Sequence, residues 1–329
     1  MKDLINWAVA GTGGISNRFV MGLRDAKGAR LYAASSRGKE RAEAFAARYG
    51  FEKAYGDYQA MLEDPAVDAV YIGTPHSAHK EMALAAFRAK KAVLCEKPVS
   101  INAAELSAMI AEARANKVFF MEALWTRFVP PLVKVREWLA GGIIGEPRMV
   151  QANFCFSAPF NPQGRLYNRE LGGGALLDAG IYPLSLASLV FGGRKPAAVH
   201  SQMHLGETGV DEEVSVLLSY GGPRMAALSA AVSTAAVNDC WIYGTQGYIR
   251  LPDFVFSHSA ELRLHGRYSY RYEPEFFSNG YNYEAEEVMN CLREGKLESD
   301  TMSLAESLCI METMDCIRAQ NGFRYPGEG

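Results

Sequence analysis

The sequence predicts an α/β protein of two domains: an N-terminal doubly wound parallel sheet, then an α+β domain with a large, open, mostly antiparallel sheet. Three observations lead there. Through the first third of the chain, short apolar runs alternate with helical stretches of about a dozen residues, the pattern of βαβ units. After residue 121, strand-like alternations follow one another with few helices between them, which favours antiparallel pairing. The 329 residues, 49% hydrophobic and 22% charged, are enough for two ordinary cores.

Taken in order, residues 7–10 form a buried strand, and a helix starts after the glycine cluster at 11–14 and continues through 18–24. Residues 31–35 are the next strand. Residues 39–49 are rich in Ala, Glu and Arg and form a helix that Gly50 stops. Strands at 68–73, 92–96 and 118–121 then alternate with helices at 78–89 and 103–115. Pro130-Pro131 opens a helix that Gly141-Gly142 ends. Strands follow at 150–156, 198–204, 213–220, 224–232, 241–243 and 248–251, interrupted by a helical insertion at 174–191. Helices with a break near Gly295 cover 282–319. The boundary falls between 122 and 128, which gives domains 1–122 and 123–329.

Charge and cysteine content exclude several classes. With 34 Lys+Arg against 37 Asp+Glu the net charge is -3, so neither nucleic acid nor an anionic membrane surface is the expected partner. No run approaches the roughly 18 uncharged apolar residues of a membrane span, and the first residues lack a signal-peptide layout. Cys95, Cys155, Cys240, Cys291, Cys309 and Cys316 are scattered, with no Cys-x-x-Cys. That argues against a disulfide framework or a cysteine zinc site and for a reducing compartment. A soluble, cytoplasmic protein is expected.

Gly11-Thr12-Gly13-Gly14-Ile15-Ser16 lies between the first strand and the first helix. There Gly11 makes the tight turn, Gly13 lets backbone approach a pyrophosphate, and the helix N-terminus offers free N–H groups. Ser16 stands where the third glycine of G-x-G-x-x-G is expected, so the motif is imperfect and its strand–turn–helix context carries the assignment. An NAD site usually has an acid at the end of the second strand, to hold the ribose 2′-hydroxyl. This chain has Ser35-Ser36-Arg37 there, complementary to a 2′-phosphate, so NADP is favoured over NAD. The alternative is that Arg37 only caps a solvent-facing turn.

Carboxyl ends of strands line the ligand crevice of a doubly wound sheet. Thr74-Pro75-His76-Ser77-Ala78-His79 and Glu96-Lys97-Pro98 end two of these strands, so Thr74, Pro75, His76, His79, Glu96 and Lys97 are assigned to the cofactor. Two readings stand for Lys97: a solvated charge, or an ammonium aimed at a reacting hydroxyl. His76 and His79 are spaced as metal ligands could be, but no further ligands cluster with them and no metal is assigned.

Together the glycine loop, Thr74-Pro75-His76 and Glu96-Lys97-Pro98 resemble the glucose–fructose oxidoreductase, inositol dehydrogenase and rhizopine-catabolism family (Gfo/Idh/MocA). Three further segments resemble its dimeric dihydrodiol dehydrogenase branch, which includes NADP-dependent D-xylose dehydrogenases. They are Met121-Glu122-Ala123-Leu124-Trp125-Thr126-Arg127-Phe128, Gly172-Gly173-Gly174-Ala175-Leu176-Leu177-Asp178-Ala179-Gly180-Ile181-Tyr182 and Thr208-Gly209-Val210-Asp211. The resemblance implies a Rossmann domain joined to an open-sheet domain, and hydride transfer between nicotinamide C4 and a sugar, polyol or cyclic-diol carbon.

By that resemblance Lys97 is the family lysine, and Tyr182 stands where many members have histidine. Beside an ammonium a tyrosine becomes a usable base, because the positive charge stabilises its phenolate. Asp178, four residues before Tyr182, is expected one helical turn away, orienting substrate or Lys97 or capping the helix. Trp125, Arg127 and Phe154 are expected as pocket walls beside Tyr182, and His79 as a helix-start residue or a nicotinamide-side contact. A homodimer or higher homo-oligomer is expected, because an open sheet packed on helices at one face leaves its other face to be covered, with 215–218 and 226–230 as the candidate segments, and the resemblance supports it. Two other functions were weighed, a bound-cofactor sugar–sugar oxidoreductase and a non-catalytic dinucleotide-sensing regulator. Presence of both Lys97 and Tyr182 argues against the sensor.

Overall fold

In the computed structural model, which describes residues 3–266 and 268–328, parallel pairing joins the first six strands. They are β1 (Ile5–Ala10), β2 (Ala29–Ser35), β3 (Lys53–Tyr55), β4 (Ala69–Ile72), β5 (Ala92–Glu96) and β6 (Phe120–Ala123), ordered β3-β2-β1-β4-β5-β6. The intervening helices are α1 (Gly14–Asp25), α2 (Lys39–Tyr49), α3 (Tyr58–Leu62), α4 (His79–Arg88) and α5 (Ala103–Asn116). Strands β4 and β5 are buried throughout, as continuous apolar runs in a covered parallel sheet should be. Strand order reverses between β1 and β4, and the register levels Ser35, Ala10, Ile72 and Cys95 along one rim. That rim is the ligand crevice of this architecture. The sequence reading missed β3 and α3; a three-residue edge strand is too short to show any period.

The second sheet has eight strands, ordered β14-β13-β12-β11-β7-β10-β9-β8. After α6 (Pro130–Ala140) come β7 (Pro147–Cys155), α7 (Ile181–Val190), β8 (Ala198–Leu205), β9 (Asp211–Ser219) and β10 (Met225–Ala231). Then follow β11 (Cys240–Gly244), β12 (Gly247–Leu251), β13 (Ala260–Leu264), β14 (Tyr268–Tyr272), α8 (Tyr281–Glu294) and α9 (Leu304–Gln320). Only β7 and β10 pair in parallel. Strands β13 and β14 were not read from sequence: β13 alternates Ala260, Leu262 and Leu264 with Glu261 and Arg263 over only five residues, and β14 is a largely exposed, tyrosine-rich run with no buried face.

Helix α7 packs on β7 and β10. The helical run Arg169–Val190 is by length and composition apolar enough to cross a membrane, although Asp178 interrupts its uncharged stretch, and 94% of its apolar window is buried inside the protein. It is a core helix. On β9, Val214, Val216 and Leu218 face inward while Ser215 and Leu217 face out. The outward face holds a shallow depression of ≈ 710 Å³ whose lining includes Gln151, Gln202, Ser215, Ser229, Leu217 and Trp241. Leu217 and Val237, 60% and 73% exposed, put apolar surface on this face between the polar side chains.

The described chain falls into two compact units. One comprises residues 3–100, Ala104–Phe128 and Phe276–Ser307; the other comprises Ile101–Ala103, Val129–Glu275 and residues 308–328. Within the first, α8 packs along α1, and Gly22 is where they approach, since a Cβ there would overlap Asn279, Tyr281 and Asn282.

Candidate active site

The glycine loop is built to receive an anion. Gly11 has φ 95°, and a Cβ there would also press on the Gly73 carbonyl, so the turn demands glycine. Gly13 precedes α1 in extended conformation, no side chain caps the helix, and its first turn carries no acid. A Cβ at Gly13 or Gly14 would meet nothing within 4 Å. The first N–H groups of α1 therefore face open space with a favourable dipole, flanked by half-buried Thr12 and Ile15. These features fit a dinucleotide pyrophosphate. Ser16 is fully buried, and a Cβ on Gly73 would collide with its Oγ and with the Tyr71 ring. Close helix–strand packing, the usual task of the third glycine, thus rests on Gly73 in the facing strand-end loop.

At the end of β2, Ser35 is buried, Ser36 half-buried and Arg37 exposed. Neither Arg37 nor Arg41 has a carboxylate partner among the described residues, and Arg41 extends over Gly38 at the uncapped start of α2. Two guanidiniums and two serines meet no acid at the strand tip, although Glu40 lies in the first turn of α2.

Thr74 and Pro75 are half-buried at the end of β4, and His76 is buried where a single helical turn begins. His79 opens α4, which matches its helix-start reading. Its ring is fully buried, with Nδ1 2.9 Å from the Pro98 carbonyl and Nε2 2.9 Å from that of Thr74. Burial pushes its pKa down to about 4. A neutral ring carries one N–H, so His79 donates to one of these two carbonyls and sits between the loops that bear them. His76 meets it edge-on at 5.7 Å, and no three metal-ligating side chains gather among the described residues.

Glu96 closes β5 at the same rim. It is buried, its Oε1 accepts from the Tyr71 hydroxyl at 2.5 Å and its Oε2 from the Lys97 amide at 3.2 Å. The carboxylate is engaged inside the unit, and its contribution is to hold the half-buried Lys97, whose bond to Pro98 is cis. Glu122, at the end of β6, accepts the Val99 amide at 3.1 Å and anchors the other side of that corner. Burial raises its carboxyl pKa. The sequence reading did not single out Glu122 as functional; an acid closing the apolar run Val118-Phe119-Phe120-Met121 was the available signal.

Trp125 is buried and stacked on Tyr281 at 4.9 Å. Arg127, expected as a substrate wall, is 2% exposed and bound to Glu306 at 2.7 Å. Its charge serves an internal ion pair of the first unit.

In the second unit, Tyr182 sits in the first turn of α7 and meets Phe154 of β7 edge-on, 5.3 Å between ring centroids. Phe154 also contacts Phe256 at 6.0 Å. Asp178 lies in a π turn, Leu176–Gly180, that runs into α7. The wider turn means Asp178 and Tyr182 are not one α-helical turn apart, as spacing alone predicts. Asp178 Oδ1 binds Arg165 at 2.5 Å, a partner that nothing in the sequence marked. Phe154, Asp178 and Tyr182 thus belong to one structural unit, with Lys97 and the dinucleotide-loop residues in the other.

Comparison with known proteins places this geometry. Residues 5–124 match the model of an oxidoreductase family with an NAD-binding Rossmann fold, and residues 132–250 match the GFO/IDH/MocA C-terminal domain. The chain is 40% identical over 329 residues to a trans-1,2-dihydrobenzene-1,2-diol dehydrogenase of Xenopus laevis, covering 97% of this chain and 99% of that one. Among solved structures, a 3-ketoreductase from Actinomadura kijaniata in complex with NADP and TDP-benzene superimposes with a TM-score of 0.84 at 26% identity, covering 96% of this chain and 97% of that one. An aldose-aldose oxidoreductase from Caulobacter crescentus gives 0.87 at 24% identity with the same coverage, a likeness of fold.

Proposed function

Because the chain belongs to the Gfo/Idh/MocA oxidoreductase family, we propose that it is an NADP-dependent dehydrogenase or reductase acting on a sugar, polyol or cyclic diol, with Lys97 and Tyr182 as its acid–base pair. The observation that carries this reading is the uncapped, glycine-opened N-terminus of α1 at the point where strand order reverses. Backbone from Gly11 to Ile15 would hold the pyrophosphate, and Ser35, Ser36 and Arg37 the 2′-phosphate. Thr74, Pro75 and His76 would border the nicotinamide half. When bound, the nicotinamide supplies the hydride acceptor or donor at C4. This chain's part is the proton: Tyr182 takes it from, or returns it to, the substrate hydroxyl, and the Lys97 ammonium stabilises the phenolate. Trp125 and Phe154 would shape the pocket, and Arg165 would hold the Asp178 carboxylate in place.

A spectrophotometric screen of polyols, aldoses and cyclic diols with NADP and NAD tests the reading. Turnover with NADP is expected, and nucleotide binding without turnover of any substrate would overturn it. Replacing Arg37 with Ala should weaken NADP by about 1.5–3 kcal/mol, the worth of a charge-assisted hydrogen bond, and leave NAD unchanged. Equal affinity for both nucleotides in the parent protein would sink the assignment.

We also propose a homodimer formed through the outward face of the second sheet, where Leu217 is 60% exposed between Ala227 and His200 on the adjacent strands. Sedimentation should give a dimer at micromolar concentration, and Leu217→Glu should shift it toward monomer. A parent protein that sediments as a monomer would refute this.

A further inference from the structure

The helix bearing Tyr182 follows three consecutive glycines, Gly172-Gly173-Gly174, the least constrained backbone a chain can have. Something outside the turn must therefore hold the helix in place. Its N-terminal residue, Ala175, offers no side-chain cap. Asp211, the fully buried first residue of β9, supplies the missing acceptor: its Oδ2 takes the Leu176 N–H at 2.5 Å. Its Oδ1 lies against Gly174, where a Cβ would overlap it and where φ is 124°. Glycine is thus required at 174 on two counts.

The far side of the same turn is braced from the C-terminus. Tyr325 donates its hydroxyl to the Gly173 carbonyl at 2.6 Å, and the Arg318 guanidinium lies 5.1 Å from the Tyr325 ring centre. Arg318 is itself held by Asp315 and Glu328. Arg318 and Tyr325 are the charged and titratable groups that face Asp211. Burial drives the Asp211 pKa up to about 7, against the pull of the backbone donors and of Arg318.

We propose that Asp211 is a positioning residue for the acid–base helix: by taking the Leu176 amide while it abuts Gly174, it sets where Asp178 and Tyr182 stand. Asp178 follows Leu176 by two residues and Tyr182 by six, so a shift of the anchored amide moves both. The inference rests on the acid–base reading of Tyr182.

The experiment pairs turnover with amide hydrogen exchange across 176–182. Asp211→Ala should lower kcat by about 10²-fold, as small misplacements of a reacting group do, leave NADP affinity unchanged and speed exchange at those amides. Asp211→Asn, which keeps an acceptor for Leu176, should recover most of both. If the alanine variant does not fold, Asp211→Glu decides: one methylene longer, it must displace either Leu176 or Gly174 and should show the same loss. Wild-type kcat with wild-type exchange in Asp211→Ala or Asp211→Glu overturns the proposal. The two readings fail separately. If Tyr182→Phe is slow while the Asp211 variants behave as the parent, only the positioning role falls. If Tyr182→Phe turns over normally, the acid–base reading falls, and exchange at 176–182 still decides whether Asp211 holds the helix.

Discussion

Tyr182→Phe is expected to lower turnover by about 10²–10⁴-fold, the usual worth of a positioned general acid or base, with NADP affinity intact. The hydroxyl is the only group lost, and the ring that meets Phe154 edge-on is kept. Lys97→Met should lose turnover on the same scale. It removes the ammonium while Glu96 and Glu122 still hold the backbone of the corner at the Lys97 and Val99 amides. The double variant should be little worse than the poorer single one, because residues acting as a unit are not additive. Steady-state kinetics together with nucleotide titration decide the matter. A Tyr182→Phe enzyme with near-normal kcat, or a double variant whose losses multiply, would remove the proposed pair.

Arg127→Met should destabilise the protein by about 3–5 kcal/mol, the cost of leaving one partner of a buried ion pair behind. Arg127 and Glu306 are 2% and 14% exposed, and the Arg127 charge also steadies the buried Glu122. The sign of the pH dependence follows. Burial raises the Glu122 pKa, so Glu122 opposes folding increasingly as pH climbs from its unfolded value through its folded one. Removing Arg127 raises that folded value further, and the deficit of the variant should widen with pH across the same range. Urea unfolding read on the first transition measures it, since two units need not unfold together. Replacing Glu306 with Leu as well should recover part of the loss. A single variant within about 1 kcal/mol of the parent, the range of exposed pairs, would mean that the pair is effectively solvated.

Much of the fold was legible because local rules dominate it. The runs at β1, β4 and β5 are apolar enough to be buried whichever way the chain folds, and Gly50 and Pro130-Pro131 mark helix ends by backbone chemistry alone. The positive φ at Gly11 and the open, uncapped start of α1 likewise follow from a few neighbouring residues, so the dinucleotide loop could be read without its surroundings.

Other features depend on which distant segment arrives opposite a given residue. Ser16 looked like a defect in a glycine motif until Gly73, far along the chain, proved to supply the close approach. His79 and Glu96 stand near the ligand rim by sequence, but only the fold shows that carbonyls of Thr74 and Pro98 face the His79 ring and that a hydroxyl and an amide donate to Glu96. Arg127 has a buried partner, Glu306, that its sequence neighbours do not reveal. The return of 276–307 to the first unit and the anchoring of Leu176 by Asp211 are of the same kind. Periodicity, turn chemistry and motif order act over a few residues, so the sequence by itself determined the strand–helix alternation, the glycine turn and the acid-free tip of β2. Desolvation and charge pairing act between residues that only folding brings together. The folded structure therefore decided which of the polar side chains near the rim are presented to a ligand and which are consumed in holding the rim together.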